Sequence, residues 1–577
     1  MKFSGPNIRD FFFKPIANEA DAFTCNKCKG RYRSPKGYTN LHNHVTKCYG
    51  EGWEGRLKEH LETHDVKVKP DGSIKSVEQS IMKSFYTSNT KELRAYQWIK
   101  WLALRNMPII EIENPLTRSI VKIEPFSSKT IRKYIISTAK ETEKAIAAEL
   151  QEAGKVTLLM DGWTCDGAAT HYIAIFAGYL HHKSGEYNEV LLALTPTLQE
   201  DDLGADAHIE LFESTIGLYG ISKDDVACII GDNCSTNKAI STRWEVPLVG
   251  CASHRLNLAV HSWIENEPPG VAAAIEKVSV LMSKASNLKT AARLRELTLD
   301  YHGVSLKAVR ENATRWTSLF AMVQRYLRIK KQLDECYGLL EYALTGIEHS
   351  IILKIKEDFE IFHLVTTEIQ GKDVDLLHVW NQFNTLWGGC SRYACMKEYL
   401  YDRAEIVHSK LFESGVRKIL RGHLDLFQEG EKEAVERLID RKKLAAQEEE
   451  RRLEGGPIVG GPRLTIKEKL AFNIKKRKRG THINRGTRNP YVDVGKLICA
   501  TSNCCERLFS EAKYIMLPHH RRRSMSPIVF EALLFLKKNV RFWNVKTVAA
   551  AMKTSDEDER DDDVFYYEDN DDLVIVE

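Results

Sequence analysis

Cys25 and Cys28 lie two residues apart, and after fifteen more residues His44 and Cys48 follow one helical turn apart. Two thiolates on a knuckle and a His/Cys pair on a helix are the four ligands of a closed tetrahedral Zn²⁺ site. A core this small needs such an ion to fold. His42 is an alternative ligand, because a gap of five to Cys48 is also tolerated. Two acids stand elsewhere after short apolar runs: Asp161 in LLMDGWTCDG and Asp232 in CIIGDNCSTN. Carboxylates brought to one place can share Mg²⁺ or Mn²⁺ and so act on a phosphodiester. Each Asp equally suits the cap of a following turn or helix.

A third acid would separate these readings, and SNCCERLFSEA offers one. On a helix beginning near Cys504, residues Cys505, Leu508, Phe509, Ala512, Ile515 and Met516 share one face. Adjacent thiols point about 100° apart on a helix, so Cys504 and Cys505 cannot chelate one metal as a knuckle does. Glu506 borders the apolar face, from which it can reach a sheet edge.

The elements that must position these residues follow from periodicity. Val156–Met160, Tyr172–Leu180 and Val190–Leu194 read as three consecutive strands. Helix-separated runs follow at Val226–Ile230 and Val246–Cys251. A three-strand meander followed by helix-separated strands is the order of the ribonuclease H-like fold, in which the first and fourth strands are parallel neighbours. Asp161 and Asp232 would then leave the sheet at the same edge.

The expected fold class is therefore α+β and multidomain: a zinc finger, a helical domain, and a ribonuclease H-like α/β domain interrupted by a large all-helical insertion. The boundaries read as an arm over 1–17, the finger over 18–50, a polar linker over 51–90 and the helical domain over 91–150. The sheet domain opens over 151–269, and the insertion occupies 270–426. A charged linker spans 427–495, the sheet domain closes over 496–545, and an acidic, disordered tail covers 546–577.

Composition bounds the partners. The chain has 577 residues, 43% of them hydrophobic, and a formal charge of +4. Twelve acids lie beyond Thr554, so the body of the chain is strongly basic and suits a polyanion. Thirteen scattered cysteines exclude a disulfide scaffold and point to a reducing compartment. With no secretory leader and no run of about 18 apolar residues, the reading is a soluble, intracellular protein with no membrane partner.

The finger carries Lys27, Lys29, Arg31, Arg33, Lys36 and Lys47 with Tyr32 and Tyr38, a set suited to DNA phosphates. Its ligand spacing resembles the BED-type zinc finger. Lys475, Lys476, Arg477, Lys478 and Arg479 fit a nuclear-import signal, a DNA patch or a solvated charge run. Gln79, Met82, Phe85 and Tyr86 have the spacing of peptides that plug the pocket of a DNA sliding clamp. Docking on the protein's own helices is the alternative.

Taken together, DGWT, GDNCSTN, CASHRLNL from Cys251, ATRWTSL from Ala313, CERLFSEA and RRRSMSPIVFEALLFLKKN resemble the hAT family of DNA transposases. The likeness runs through most of the chain from Pro125 to Asn539. It implies that Asp161, Asp232 and Glu506 bind catalytic Mg²⁺ or Mn²⁺, and that Cys251 and His254 support them. It also implies that Arg315 holds phosphate while Trp316 stacks on a displaced base, although Trp316 and the Cys251/His254 pair suit a buried core equally. The partners implied are double-stranded DNA and a second copy of the chain, through the C-terminal helices, in the nucleus. Cys165 and Cys505 stand where the family usually has serine. The other reading of the same features is a domesticated DNA-binding regulator of transcription or chromatin whose acids survive as structure.

Overall fold

The computed structural model describes residues 90–164, 170–196, 204–267, 270–312, 315–371, 374–445 (except 442), 489–516 and 525–558. Before these it describes 5–16, 22–33, 39–50 and the isolated positions 53, 57, 67, 68, 74 and 75. The clamp-type segment at 79–86 and the basic run at 475–479 lie outside the described residues. The fold is mixed α and β, mostly helical, with a small three-stranded sheet and a separate five-stranded one. It divides into two compact units, Met1–Trp98 with Ile112–Ser127, and Ile99–Glu111 with Ser128–Glu577.

In the first unit, strands β1 (Phe13–Pro15), β2 (Ala22–Cys25) and β3 (Arg31–Arg33) form an antiparallel sheet beside the helices Gly5–Phe12 and Thr39–Tyr49. Ile8, Phe12, Phe13, Leu41, Val45, Trp53 and Leu57 close its core around Cys25. A two-stranded ribbon, β4 (Lys67–Val68) and β5 (Ile74–Lys75), follows.

In the second unit, β6 (Val156–Thr164), β7 (His171–Leu180), β8 (Tyr187–Pro196), β9 (Val226–Gly231) and β10 (Leu248–Gly250) are ordered β10-β9-β6-β7-β8. The first three are an antiparallel meander, whereas β6 pairs with β9, and β9 with β10, in parallel. The expected adjacency of the first and fourth strands is therefore present. β9 is buried along its whole length, as a strand covered on both faces must be. The last strand is shorter than its apolar run, because Pro247 has no N–H for the ladder and offers only its carbonyl, to Ile229 N.

Four expectations change. Asp161 does not follow the first strand; β6 continues through it, paired with Ala174, because Trp163 stacks between Tyr172 and Phe509 and extends the ladder. The helix Ser128–Ala153 is no part of a small separate helical domain. Its buried face of Ile131, Tyr134, Ile135, Ala139, Ile146 and Leu150 packs against the helices Pro527–Lys538 and Val545–Asp558. The acidic tail begins as that last helix, with Val548, Ala551 and Met552 buried, and only residues beyond 558 lie outside the description. The charged stretch from 427 is anchored at both described ends. Val435 and Leu438 are buried, Ile439 bridges Tyr491, and the Arg437 guanidinium donates to Val226 O and Glu245 O.

The region after β10 is helical, including Ala252–Asn266, Val271–Ala285, Trp316–Asp334, Gly346–Ile369 and Leu376–Gly389. The apolar residues of Pro527–Lys538, proposed by resemblance for pairing between chains, are largely buried within this one. Asn539 satisfies edge strand β8 as a backbone would, accepting from Leu191 N at 3.2 Å and donating to Leu191 O at 2.8 Å. No helix among the described residues is long and apolar enough to cross a membrane.

Candidate functional site

The first unit gathers Cys25, Cys28, His44 and Cys48 so that one ligand atom of each lies within 4.8 Å of all the others. Cys25 ends β2, Cys28 sits on the turn after it, and His44 and Cys48 share a face of the helix Thr39–Tyr49. Cys28 Sγ approaches His44 Nε2 at 3.5 Å, close to the about 3.6 Å edge that tetrahedral bonds of about 2.3 Å to sulfur and about 2.0 Å to nitrogen impose. The Gly30 N–H donates to Cys28 Sγ at 3.4 Å and pulls that thiol below its ordinary range. The donor set fits zinc in number, kind and spacing. His42 is not in it, because its ring stands edge-on to Trp53.

The second unit has a cavity of about 540 Å³ lined by Asp161, His254, Asn257, Arg315, Trp316 and Glu506, with Trp163, Phe509 and Lys513 among the neighbours. Asp161 comes from β6, Asp232 from the end of β9 and Glu506 from the helix Asn503–Ile515. Burial raises the Asp161 carboxyl to about 6; His254 and the Gly162 N–H oppose this, and the charges of Asp232 and Glu506 add to it. Asp232 and Glu506, with 273 residues between them in the sequence, are thus both within electrostatic reach of Asp161.

Each acid also has a partner. Asp232 accepts from the Asn237 side-chain amide and from Cys234 N at 3.4 Å, while Cys234 itself caps the helix Ser235–Trp244, its Sγ accepting from Asn237 N. Glu506 Oε2 lies 3.2 Å from Arg315 Nη1. The acids are therefore not drawn together as tightly as the cysteine and histidine ligands. Among the described residues, that Cys3His set is the group whose ligand atoms converge.

Why the Glu506 helix arrives here is legible in its fastenings. Thr157 Oγ1 donates to Leu497 O at 2.7 Å, Ala252 N to Ala500 O at 2.9 Å, and Ser502 N to Cys251 Sγ at 3.4 Å. Cys505, Leu508, Phe509, Ala512, Ile515 and Met516 are all buried, as the periodicity predicts. Cys504 is buried as well, with its sulfur 4.0 Å from that of Cys505.

Cys251 and His254 stand together at the start of the helix Ala252–Asn266. Contact with Cys251 is the main cause that raises the imidazole to about 9, against burial, and Asp161 and Asp232 add to it. The same contact lowers the thiol although burial opposes it. His254 Nδ1 is buried without a hydrogen-bond partner.

Trp316 is placed as a core residue. It is 2% exposed and packs on Phe320, Phe359 and Phe362, so in this arrangement its ring is not presented for stacking on a base. Arg315 does reach the cavity. Residues not anticipated from sequence include Asn257, whose Oδ1 accepts from Trp316 N at 3.1 Å, and Ser253, whose hydroxyl donates to Asn503 Oδ1 at 3.2 Å. Both are polar positions on the first two turns of one helix, next to His254. Asn237 is a third, and its place two positions beyond Ser235 in GDNCSTN is the only signal it gives.

No family model matches the chain. A curated protein of Talaromyces stipitatus, named "Putative transcriptional regulator tpeD", is 21% identical over 400 residues, covering 60% of this chain and 46% of that protein. The chain thus spans less than half the length of that relative.

Proposed function

We propose that the chain is a DNA transposase of the hAT kind, with a ribonuclease H-like core that cuts and joins phosphodiesters and a BED-type finger that holds element DNA. The observation that carries this reading is that Asp161 and Glu506, from distant parts of the sequence, line one cavity, while Asp232 just beyond β9 joins Glu506 in raising the Asp161 carboxyl by its charge. Hard carboxylate oxygens suit Mg²⁺ or Mn²⁺ in kind. Burial and mutual repulsion raise Asp161, which is the cost that a divalent cation relieves.

The three acids would hold such ions, which polarise a phosphodiester and make bound water a nucleophile. The chain's own residues do the rest. Arg315 and Lys513 supply positive charge at the cavity rim for a phosphate. The pairing of Cys251 with His254 keeps an imidazolium beside the acids and moderates their repulsion. Zinc held by Cys25, Cys28, His44 and Cys48 orders the basic strand β3 and its surroundings for duplex contact. The basic run at 475–479 would bring the protein to the nucleus, and the segment at 79–86 would engage a sliding clamp. A second copy of the chain would complete a pair of element ends.

A second reading has its own observations. Glu506 is ion-paired to Arg315, Asp232 is held by the Asn237 amide and the Cys234 N–H, and the Talaromyces relative bears a regulator's name. The chain would then be a DNA-binding regulator with silent acids. Purified protein incubated with Mn²⁺ and duplex DNA bearing candidate terminal repeats separates the two. Nicks or hairpins made by the wild type and lost in Asp232→Ala support the transposase, whereas intact DNA binding with no cleavage supports the regulator.

A further inference from the structure

Arg315 has a geometry that a simple phosphate-gripping residue would not need. Its backbone is fixed at the start of the helix Trp316–Asp334. Ser318 Oγ donates to Arg315 O and to Asn312 O at 2.8 Å each, and accepts from Asn312 N at 2.7 Å. Asn257 accepts from the next backbone N–H, that of Trp316. From that rigid base the guanidinium reaches Glu506, whose side chain is 20% exposed while that of Arg315 is 56% exposed. The carboxylate is thus largely sheltered, and its counter-charge stands on the solvent side.

We infer that Arg315 is an internal counter-cation that holds Glu506 away from a divalent ion until a nucleic-acid phosphodiester draws the guanidinium off. This rests on the reading of the acids as a cation site. A guanidinium pairs with carboxylate and phosphate through the same donors, so it cannot serve both fully at once. A phosphodiester at the cavity mouth competes for Arg315 from the exposed side, and Glu506 is then left with its charge uncompensated beside Asp161. Phosphate and divalent cation would in consequence bind with positive coupling, each strengthening the other by the same factor. The arrangement would keep the acids from binding cation, and from cutting, without DNA in place.

Mn²⁺ titrations of the full-length, zinc-loaded protein, read by calorimetry and by quenching of the cavity tryptophan Trp163, test this without any measurement of cleavage. The expected result is that Arg315→Gln binds Mn²⁺ about tenfold more tightly than the wild type, within the range usual for coupled sites. A short DNA duplex should tighten Mn²⁺ binding to the wild type by a similar factor and leave Arg315→Gln unchanged. The double variant Arg315→Gln with Glu506→Gln should lose the gain. Equal Mn²⁺ affinity in wild type and Arg315→Gln would overturn the inference while leaving the cation site standing. Absence of Mn²⁺ binding at millimolar concentration in both proteins would overturn it together with the transposase reading. The melting temperature of each variant, expected within a few degrees of wild type for so exposed an arginine, excludes misfolding as the cause.

Discussion

At the scale of single residues, Asp161 carries the clearest consequence. Its carboxyl titrates near 6 in the folded chain against an ordinary value of 3.8. The folded state therefore binds the extra proton between those values, and stability falls as pH rises through that window. In metal-free protein, Asp161→Asn should raise stability at pH 7 by roughly 2–3 kcal/mol, the equivalent of about two pKa units at 1.36 kcal/mol each. The gain should vanish below about pH 4, where the native carboxyl is already neutral. Thermal melts of the two proteins from pH 4 to pH 8 check this, and equal melting temperatures throughout would refute it. The zinc ligands were legible from spacing alone, and only the choice between His42 and His44 needed three dimensions. Trp316 shows the opposite case: a sequence cannot say whether an aromatic after an arginine faces a ligand or two phenylalanines that come from a helix some forty residues away.

At the scale of elements, the order of strands was readable because each is a short apolar run with the period of a strand. The partners of helices were not. Ser128–Ala153 shows a clear apolar stripe, yet nothing in that stripe names Pro527–Lys538 or Val545–Asp558 as what covers it. The acidic run after Thr554 hid the final helix, because charge outweighed Val548 and Met552 in the reading. A chain truncated after Asn544 should thus lose on the order of 3–6 kcal/mol, about 1.5–3 kcal/mol for each of those two large side chains. A chain truncated after Asp558 should melt like the full protein. Denaturant unfolding of the two truncated proteins distinguishes them, and equal midpoints would mean that the last helix contributes nothing.

At the scale of the whole molecule, two units with separate cores should respond separately to metal. A strong zinc chelator should abolish the cooperative transition of the first unit, as should His44→Ala. The transition of the second unit should keep its midpoint, and His42→Ala should retain one zinc per chain. Zinc content by atomic spectroscopy, with near- and far-ultraviolet dichroism, measures both. Loss of zinc in His42→Ala with retention in His44→Ala would reverse the assignment.

The account turns on whether Asp161, Asp232 and Glu506 share one cation, and backbone cleavage by bound iron reads this directly. Fe²⁺ taken up in place of Mn²⁺, with ascorbate and peroxide, generates radicals that cut the chain close to its ligands. The account predicts fragments ending near residues 161, 232 and 506 together, strengthened by Arg315→Gln and suppressed by excess Mg²⁺. Cuts confined to one of these places, or only to the cysteine cluster near the N-terminus, would contradict it.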